Sequence, residues 1–319
     1  MTKIAVLDDY LGQFKDFADW GSLPDGCDVT FFRDHLGFDE DKIAAALKDY
    51  NVVIGIRERT PFPESLIAKL PNLKLLMTTG MKNGSFDGKG AKQHGVVLCG
   101  TGTHGYSTVE HAWALIMSIV KNIPDRNRAM HEGRWQAGMA VSLKNKTLGL
   151  MGLGRLGSQI AKIGQCFNMN VIAWSQNLTR ERCDEVGGVT RVDKDELFKQ
   201  SDILSIHNRL SDRTRGLVGA AQFAMMKPTA FLINTSRGPI IDEQAILDAL
   251  KKKTIAGAAL DVYWTEPLPA DHPIRALDNA LLTGHCGYVM RENHQRNFTD
   301  AVENIKAWLG GNPVRVLNA

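Results

Sequence analysis

Short runs that are apolar throughout alternate with longer segments of helical periodicity from the first residues onward. Lys3 to Leu7, Val29 to Phe32, Val52 to Ile56, Leu73 to Met77 and Val96 to Cys99 read as strands. Strands without a polar face, separated by helices, predict a parallel sheet covered on both sides. From Ser107 to about Asn122 the pattern TVEHAWALIMSIVKN is helical, with Ser107 or Thr108 as its cap and Pro124 closing it. Residues 124–145 carry Gly133 and Gly138 with no sustained period and predict an arm or loop between domains. The alternation restarts with Thr147 to Met151, Asn170 to Trp174, Ile203 to Ile206, Phe231 to Asn234 and Ala256 to Leu260, the strands of a second parallel sheet. A last amphipathic helix is expected from Arg291 to Leu309, ending at Gly310 and Gly311. The pattern predicts an α/β protein with two doubly wound parallel-sheet domains.

Composition narrows the partners. At 319 residues the chain has room for two domains of ordinary size, about 150 residues each. Hydrophobic residues at 44% and charged ones at 23% exclude fibrous and disordered chains. The balance of 38 basic and 35 acidic side chains leaves +3, without a block of five like charges, so neither nucleic acid nor a membrane surface is expected. The longest apolar stretch, Ala112 to Val120, is far short of the roughly 20 residues of a membrane span. Asp8 and Asp9 follow a short apolar run where an export signal needs a longer one. The five cysteines, Cys27, Cys99, Cys166, Cys183 and Cys286, form no CxxC pair and predict free thiols in a reducing, cytoplasmic setting. The nine histidines form no HxH or HxxxH pair, so no metal site is expected.

The most specific local signal is KTLGLMGLGRLGSQIAKIG, in which Gly152, Gly154 and Gly157 make GxGxxG between a strand and a helix. The first glycine permits the tight turn, the second lets backbone approach a pyrophosphate, the third lets the helix pack closely, and the helix N-terminus favours an anion. This predicts dinucleotide binding; the alternative is a turn that binds nothing. An acid usually follows about 20 residues on to hold the ribose hydroxyls. Between Ser158 and Arg180 there is none, and the strand ends in Ser175. Ser175 with Arg180 nearby has room for a 2′-phosphate, which favours NADP mildly over NAD, while neutral hydrogen bonds to an unphosphorylated ribose stay open as the alternative.

Three further segments, FLINTSRGPIIDE, AALDVYWTEPLP and LLTGHCGY, begin as strands and end where open α/β sheets bind ligands. They supply Arg237, Glu266 and His285: a guanidinium for a carboxylate, an imidazole for a proton and a carboxylate to orient the imidazole. Cys286 beside His285 reads as packing, because neighbours on an extended segment point to opposite faces.

In their order GLGRLG, SIHNRLSDRTRGLVG, MKPTAFLINTSRGPIIDE, AALDVYWTEPLPADHP and TGHCGYV, these motifs resemble the D-isomer-specific 2-hydroxyacid dehydrogenase family over nearly the whole chain. The resemblance implies a flavodoxin-like substrate domain, residues 1–104 completed by 290–319, and a Rossmann dinucleotide-binding domain, residues 105–289. It implies hydride transfer between NAD(P)H and the carbonyl of a 2-ketoacid. Arg237 then holds the substrate carboxylate, His285 is the general acid-base and Glu266 pairs with it. Cofactor contacts are implied for Thr108, Gly152, Gly154, Arg155, Leu156, Gly157, Ser175, Arg180, His207, Thr235, Asp261 and Gly287. Substrate contacts are implied for Arg57, Gly80, Met81 and Lys82, and a homodimer through the cofactor domains and the 124–145 arm.

The chain departs from the family pattern in three places. Gly284 stands where Pro commonly precedes the catalytic His, His207-Asn208-Arg209 stands for an H-x-P sequence and makes Arg209 a second candidate cation, and Ser175 replaces the ribose acid. Rival readings are a short-type phosphoglycerate dehydrogenase and a dinucleotide-sensing corepressor or scaffold without turnover. The substrate side chain is not encoded in any motif.

Overall fold

The computed structural model describes residues 1–318 and divides into two compact units, 1–105 with the chain from 289 onward, and 106–288. In the first, β1 (Thr2–Val6), β2 (Cys27–Phe31), β3 (Val52–Gly55), β4 (Leu75–Thr78) and β5 (Val97–Gly100) form an all-parallel sheet ordered β2-β1-β3-β4-β5. This is the flavodoxin-like doubly wound order. Central β3 and β4 are buried at every position, as strands with helices on both faces must be. Ile43 and Leu47 from one helix and Leu66 and Ile67 from another close over Val53 and Leu76.

The helix Arg291–Leu309 belongs to this unit and carries an unusual number of polar groups inward. Two of them tie the helix down: Asp300 accepts from Gly102 N at 2.7 Å, and Asn304 Nδ2 donates to Gly100 O at 2.9 Å, pinning the helix to the exit of β5. His294, 3% exposed, lies among Phe14, Phe17 and Phe298, with ring centroids 5.1, 5.5 and 5.8 Å away. Burial, helped by the charge of Arg59, pulls its pKa down to about 4. An unfolded histidine titrates near 6.5, so below that pH the unfolded chain binds a proton the folded one refuses. The stability His294 supports is therefore complete above about pH 6.5 and falls as pH drops toward 4, by about 2 kcal/mol at pH 5. Denaturant unfolding at pH 7.5 and pH 5 is expected to show a smaller acid loss in His294→Gln than in wild type; equal losses would contradict this.

In the second unit, seven parallel strands lie in the order β12-β11-β10-β9-β6-β7-β8. They are β6 (Thr147–Met151), β7 (Asn170–Trp174), β8 (Val189–Arg191), β9 (Ile203–Ile206), β10 (Phe231–Asn234), β11 (Gly257–Leu260) and β12 (Ala280–Leu282). Order reverses at the β6–β9 pair, so this is the Rossmann 3-2-1-4-5-6 order with a seventh strand, and its switch point lies beside β6. The helix Ser107–Val120 lays Val109, Ala112, Trp113 and Ile116 on one face of the sheet, in a core with Leu148, Ile160 and Ile233.

Three local expectations fail. β8, an edge strand of three residues with one buried side chain, is too short for a periodicity to mark it, while β12, equally short at the other edge, lies where LLTGHCGY begins. Pro124 does not end structure but sits in the first turn of a new helix, Ile123–His131, where its fixed φ suits helix and its missing N–H costs nothing. Neither Ser107 nor Thr108 caps the long helix: Tyr106 is the N-cap and no side chain caps it. No helix among the described residues is long and apolar enough to cross a membrane.

Candidate active site

The glycine-rich turn explains its own composition, glycine by glycine. Gly152 has φ +106°, where an L side chain is strained, and its Cβ would come within 3.0 Å of Asn208 Oδ1. A Cβ on Gly157 would lie 2.2 Å from the Gly152 carbonyl oxygen, so the helix Arg155–Cys166 can start this close only on glycine. Gly154 has neither reason: its φ is −78°, it is exposed, and nothing lies within 4 Å of its Cβ position. A glycine that neither conformation nor packing needs fits a backbone left bare for a ligand. Arg155 and Leu156 open the helix, whose first amides face the same turn.

At the exit of β7, Ser175 is half-buried and its carbonyl accepts from Leu178 N at 3.0 Å. Arg180 is exposed in the first turn of the helix Arg180–Val186, which Thr179 caps. It is Arg182 that the structure ties to the glycine turn: Nε donates to Leu153 O at 3.2 Å and Nη2 to Ser158 Oγ at 2.9 Å, while Glu185 pairs with Nη1 at 2.9 Å. Sequence reasoning missed Arg182, although residues two apart on a helix face different sides and R-x-R therefore offers two distinct cations. Arg209 is exposed, with its carbonyl bonded to Thr214 Oγ1. Thr108 is half-buried near the start of the helix Ser107–Val120.

Just beyond β9 and β10, His207 Nε2, Asn208 Oδ1 and Thr235 Oγ1 are buried without hydrogen-bond partners. Burial pulls the His207 pKa down to about 4, so its ring is neutral. Buried polar atoms are rarely left unsatisfied, and here they gather at the C-terminal ends of strands beside the switch point. Together with the bare Gly154 they fit a dinucleotide.

On the same unit, His285 Nδ1 and Glu266 Oε2 form a close hydrogen bond. Glu266 is itself fixed, its Oε1 accepting from Tyr263 N at 2.8 Å, and the Tyr263 hydroxyl donates to Leu260 O and Thr283 O at 3.1 and 2.9 Å. His285 takes φ +49°, an uncommon conformation for a non-glycine residue. Such an outlier persists where neighbours over-determine it. Arg237 follows β10 with its Nη1 donating to Ser236 O at 2.7 Å, and its own carbonyl accepts from Asn234 Nδ2 at 3.1 Å. A Cβ on Gly238 would sit 2.1 Å from the Tyr263 carbonyl carbon, so this loop closes against the β11 exit only through glycine.

Asp261, 1% exposed, organises the His285 loop. Its Oδ1 accepts from Thr283 Oγ1 at 2.6 Å and Cys286 N at 2.9 Å, and its Oδ2 from Gly287 N at 2.9 Å. These bonds supply the restraint that Gly284 lacks as a replacement for Pro. His111 Nε2 lies 3.2 Å from Oδ1 and 3.1 Å from Thr283 Oγ1. Burial works against the imidazolium, but hydrogen bonds to Asp261 and Cys286 and the Asp261 charge outweigh it and push the His111 pKa up to about 10. Burial likewise disfavours the Asp261 carboxylate, and bonds from His111 and Thr283 still leave its pKa below the usual value. Sequence reasoning missed His111, which reads as one more residue of an apolar helix.

On the first unit, Arg57 has φ +53°, donates from N to Thr79 Oγ1 at 3.0 Å and from Nη1 to Thr79 O at 3.3 Å. Its guanidinium lies over Gly80, where a Cβ would come within 2.4 Å of Nη1. Gly80 has φ +98° and donates to Thr101 Oγ1 at 3.0 Å, and Met81 and Lys82 beyond it are exposed. Asn83 secures the loop, donating to Arg57 O at 2.6 Å and Thr78 Oγ1 at 2.8 Å.

Comparison with known proteins agrees with this geometry. Residues 113–287 match the model of the D-isomer specific 2-hydroxyacid dehydrogenase, NAD binding domain. The chain is 32% identical over 330 residues to the hydroxypyruvate reductase of Blautia hydrogenotrophica, covering 99% of both. It is 34% identical over 282 residues to the D-3-phosphoglycerate dehydrogenase of Archaeoglobus fulgidus, spanning 88% of this chain but only 53% of that protein. Among solved structures it is similar to a phosphoglycerate oxidoreductase from Vibrio cholerae, with TM-score 0.91, 34% identity and coverage of 98% and 100% of the two chains.

Proposed function

The chain belongs to the D-isomer-specific 2-hydroxyacid dehydrogenase family, and from that premise we propose that it reduces the carbonyl of a small 2-ketoacid to a D-2-hydroxyacid at the expense of NADPH or NADH. The observation that carries the reading is the His285–Glu266 pair, with Glu266 anchored by the Tyr263 amide. When bound, the nicotinamide supplies a hydride to the carbonyl carbon. Arg237 holds the substrate carboxylate and orients the carbonyl. His285, with Nδ1 engaged by Glu266, delivers a proton from Nε2 to the carbonyl oxygen, and Glu266 favours the protonated ring. Gly152, Gly154, Arg155, Leu156 and Gly157 receive the pyrophosphate, and Thr108, His207, Thr235, Asp261 and Gly287 meet the rest of the dinucleotide. Asp261 Oδ2, with one backbone donor, has lone pairs left for a carboxamide. The Arg57 and Gly80–Lys82 loop is assigned to the substrate.

Glyoxylate and hydroxypyruvate lead the candidates because relatives that this chain matches over 76% and 99% of their own sequences are named for them. A panel of 2-ketoacids with each reduced cofactor tests the reading, and oxidation of neither cofactor by any member would refute it. A phosphoglycerate dehydrogenase activity is the second reading, favoured by the similarity to the Vibrio cholerae structure; oxidation of 3-phosphoglycerate faster than reduction of unphosphorylated ketoacids would select it.

We infer a mild preference for NADPH. No acid stands at the end of β7 to repel a 2′-phosphate, and Arg180, Arg182 and Arg209 are cations close in sequence to the β7 or β9 exits. Solvent screening keeps the effect to about tenfold in kcat/KM. Ser175→Asp is expected to reverse it by repulsion and by bonding the ribose hydroxyls; an unchanged NADPH to NADH ratio would contradict the assignment.

The arm at 124–145 is proposed to join two copies. The arm presents large apolar side chains to solvent, Trp135 being 78% exposed and Met139 93%, which supports a contact there. Sedimentation at micromolar concentration is expected to give a dimer in wild type and a weakened one in Trp135→Glu; a wild-type monomer would rule the contact out.

A further inference from the structure

Within the second unit, the side chains of His111, Asp261 and Cys286 converge from the helix Ser107–Val120, the exit of β11 and the loop after β12. We propose that they form a site for a single zinc-like divalent cation, bound through Nε2, Oδ1 and Sγ, and that occupancy of this site opposes dinucleotide binding.

The argument is one of distances and donor types. The three ligand atoms make a triangle with edges of 3.2 Å (Nε2 to Oδ1), 3.6 Å (Sγ to Oδ1) and 3.9 Å (Sγ to Nε2). Tetrahedral zinc bonds of about 2.0–2.1 Å to nitrogen, about 2.0–2.2 Å to oxygen and about 2.3 Å to sulfur require edges of roughly 3.4, 3.6 and 3.5 Å. The observed triangle matches one face of that tetrahedron within about 0.4 Å per edge, less than a small side-chain adjustment. Imidazole, carboxylate and thiolate are the donors zinc prefers, and three protein ligands with a fourth place for water is the arrangement of open zinc sites.

The surroundings support the ligands. Thr283 Oγ1 and the Cys286 amide fix Oδ1 at 2.6 and 2.9 Å, and the Gly287 amide fixes Oδ2, so the carboxylate is oriented before any ion arrives. Asp261 is nearly inaccessible and the His111 side chain only 15% exposed, while Cys286 is half-buried, so a cation would be screened from bulk water yet have an approach past the sulfur. No motif announces the site because its members lie 175 and 25 residues apart in sequence.

The opposition to the dinucleotide rests on the proposed role of Asp261 toward the nicotinamide carboxamide; the cation site itself does not. An ion on Oδ1 neutralises the charge of that carboxylate and so weakens the hydrogen bond its Oδ2 offers a carboxamide.

Cobalt(II) titration of the cofactor-free full-length protein tests both parts. Wild type is expected to bind one cobalt with tetrahedral visible bands and a thiolate-to-cobalt charge-transfer band, displaced by zinc(II). Cys286→Ser is expected to lose the charge-transfer band, and His111→Gln to bind at least about tenfold more weakly, both with wild-type melting curves in metal-free buffer. No charge-transfer band in wild type, or one that survives in folded Cys286→Ser and so belongs to another thiol such as Cys166, would overturn the site. NADPH is expected to bleach the band competitively; a Cys286-dependent band indifferent to NADPH would overturn the opposition alone.

Discussion

His285→Gln is expected to lower kcat for 2-ketoacid reduction by about 10²-fold or more while leaving dinucleotide affinity near the wild-type value. The size follows from the role: glutamine can occupy the space and hydrogen-bond Glu266, but it cannot deliver a proton to a developing alkoxide. The selectivity follows from position, since the bare turn at Gly154 and the buried atoms of His207 and Thr235 that fit the dinucleotide do not depend on the His285 ring. Steady-state kinetics at saturating ketoacid, paired with NADPH binding followed by fluorescence, separates the two quantities. A loss of kcat under tenfold would remove His285 from the proton transfer, and an equal loss of NADPH affinity would make its role structural.

Arg237→Lys is expected to cost about 10²-fold in kcat/KM, with KM raised and kcat lowered together. Lysine keeps the charge but replaces a planar fork by a point, so the carboxylate is held without its orientation and the carbonyl swings away from the line of hydride transfer. The loop itself survives the change because its closure depends on Gly238 against Tyr263 and on Asn234, not on the guanidinium alone. Near-normal kinetics would transfer the anchoring role to another cation, with Arg57 the first to examine. An increase in KM with kcat untouched would show that Arg237 binds the substrate without aligning it.

The fold was readable wherever a strand was long and apolar on both faces. β6, β7, β9 and β10 lie where the pattern placed them, because burial on both faces leaves only one polar residue in each to blur it. The edge strand β8 was not readable, since a half-covered strand of three residues carries too little apolar signal. Pro124 misled because the same residue that stops one helix is well suited to start the next.

The candidate site divides in the same way. Residues announced by a local motif, such as the glycines of the turn, could be named from spacing, and their separate physical reasons became visible only with the backbone in place. Residues joined by tertiary structure could not be named. Arg182 reaches the glycine turn from a neighbouring helix, and His111 meets Asp261 and Cys286 across the unit; no window of sequence contains both partners. Gly284, which stands where Pro is common, sits among residues that Asp261 fixes through Thr283, Cys286 and Gly287, a tertiary arrangement no motif shows.

Hydride transfer to the carbonyl carbon of a 2-ketoacid, with proton delivery by the proposed His285–Glu266 pair, leaves its mark on the product. The most direct test is to incubate the protein with NADPH carrying deuterium at both C4 positions of the nicotinamide and a 2-ketoacid that yields a chiral product, then determine the label and configuration of that product. Deuterium at C2 of a D-2-hydroxyacid, formed by wild type and at about 10²-fold lower rate by His285→Gln, is the predicted result. Unlabelled product, the L enantiomer, or equal rates in the two proteins would contradict it.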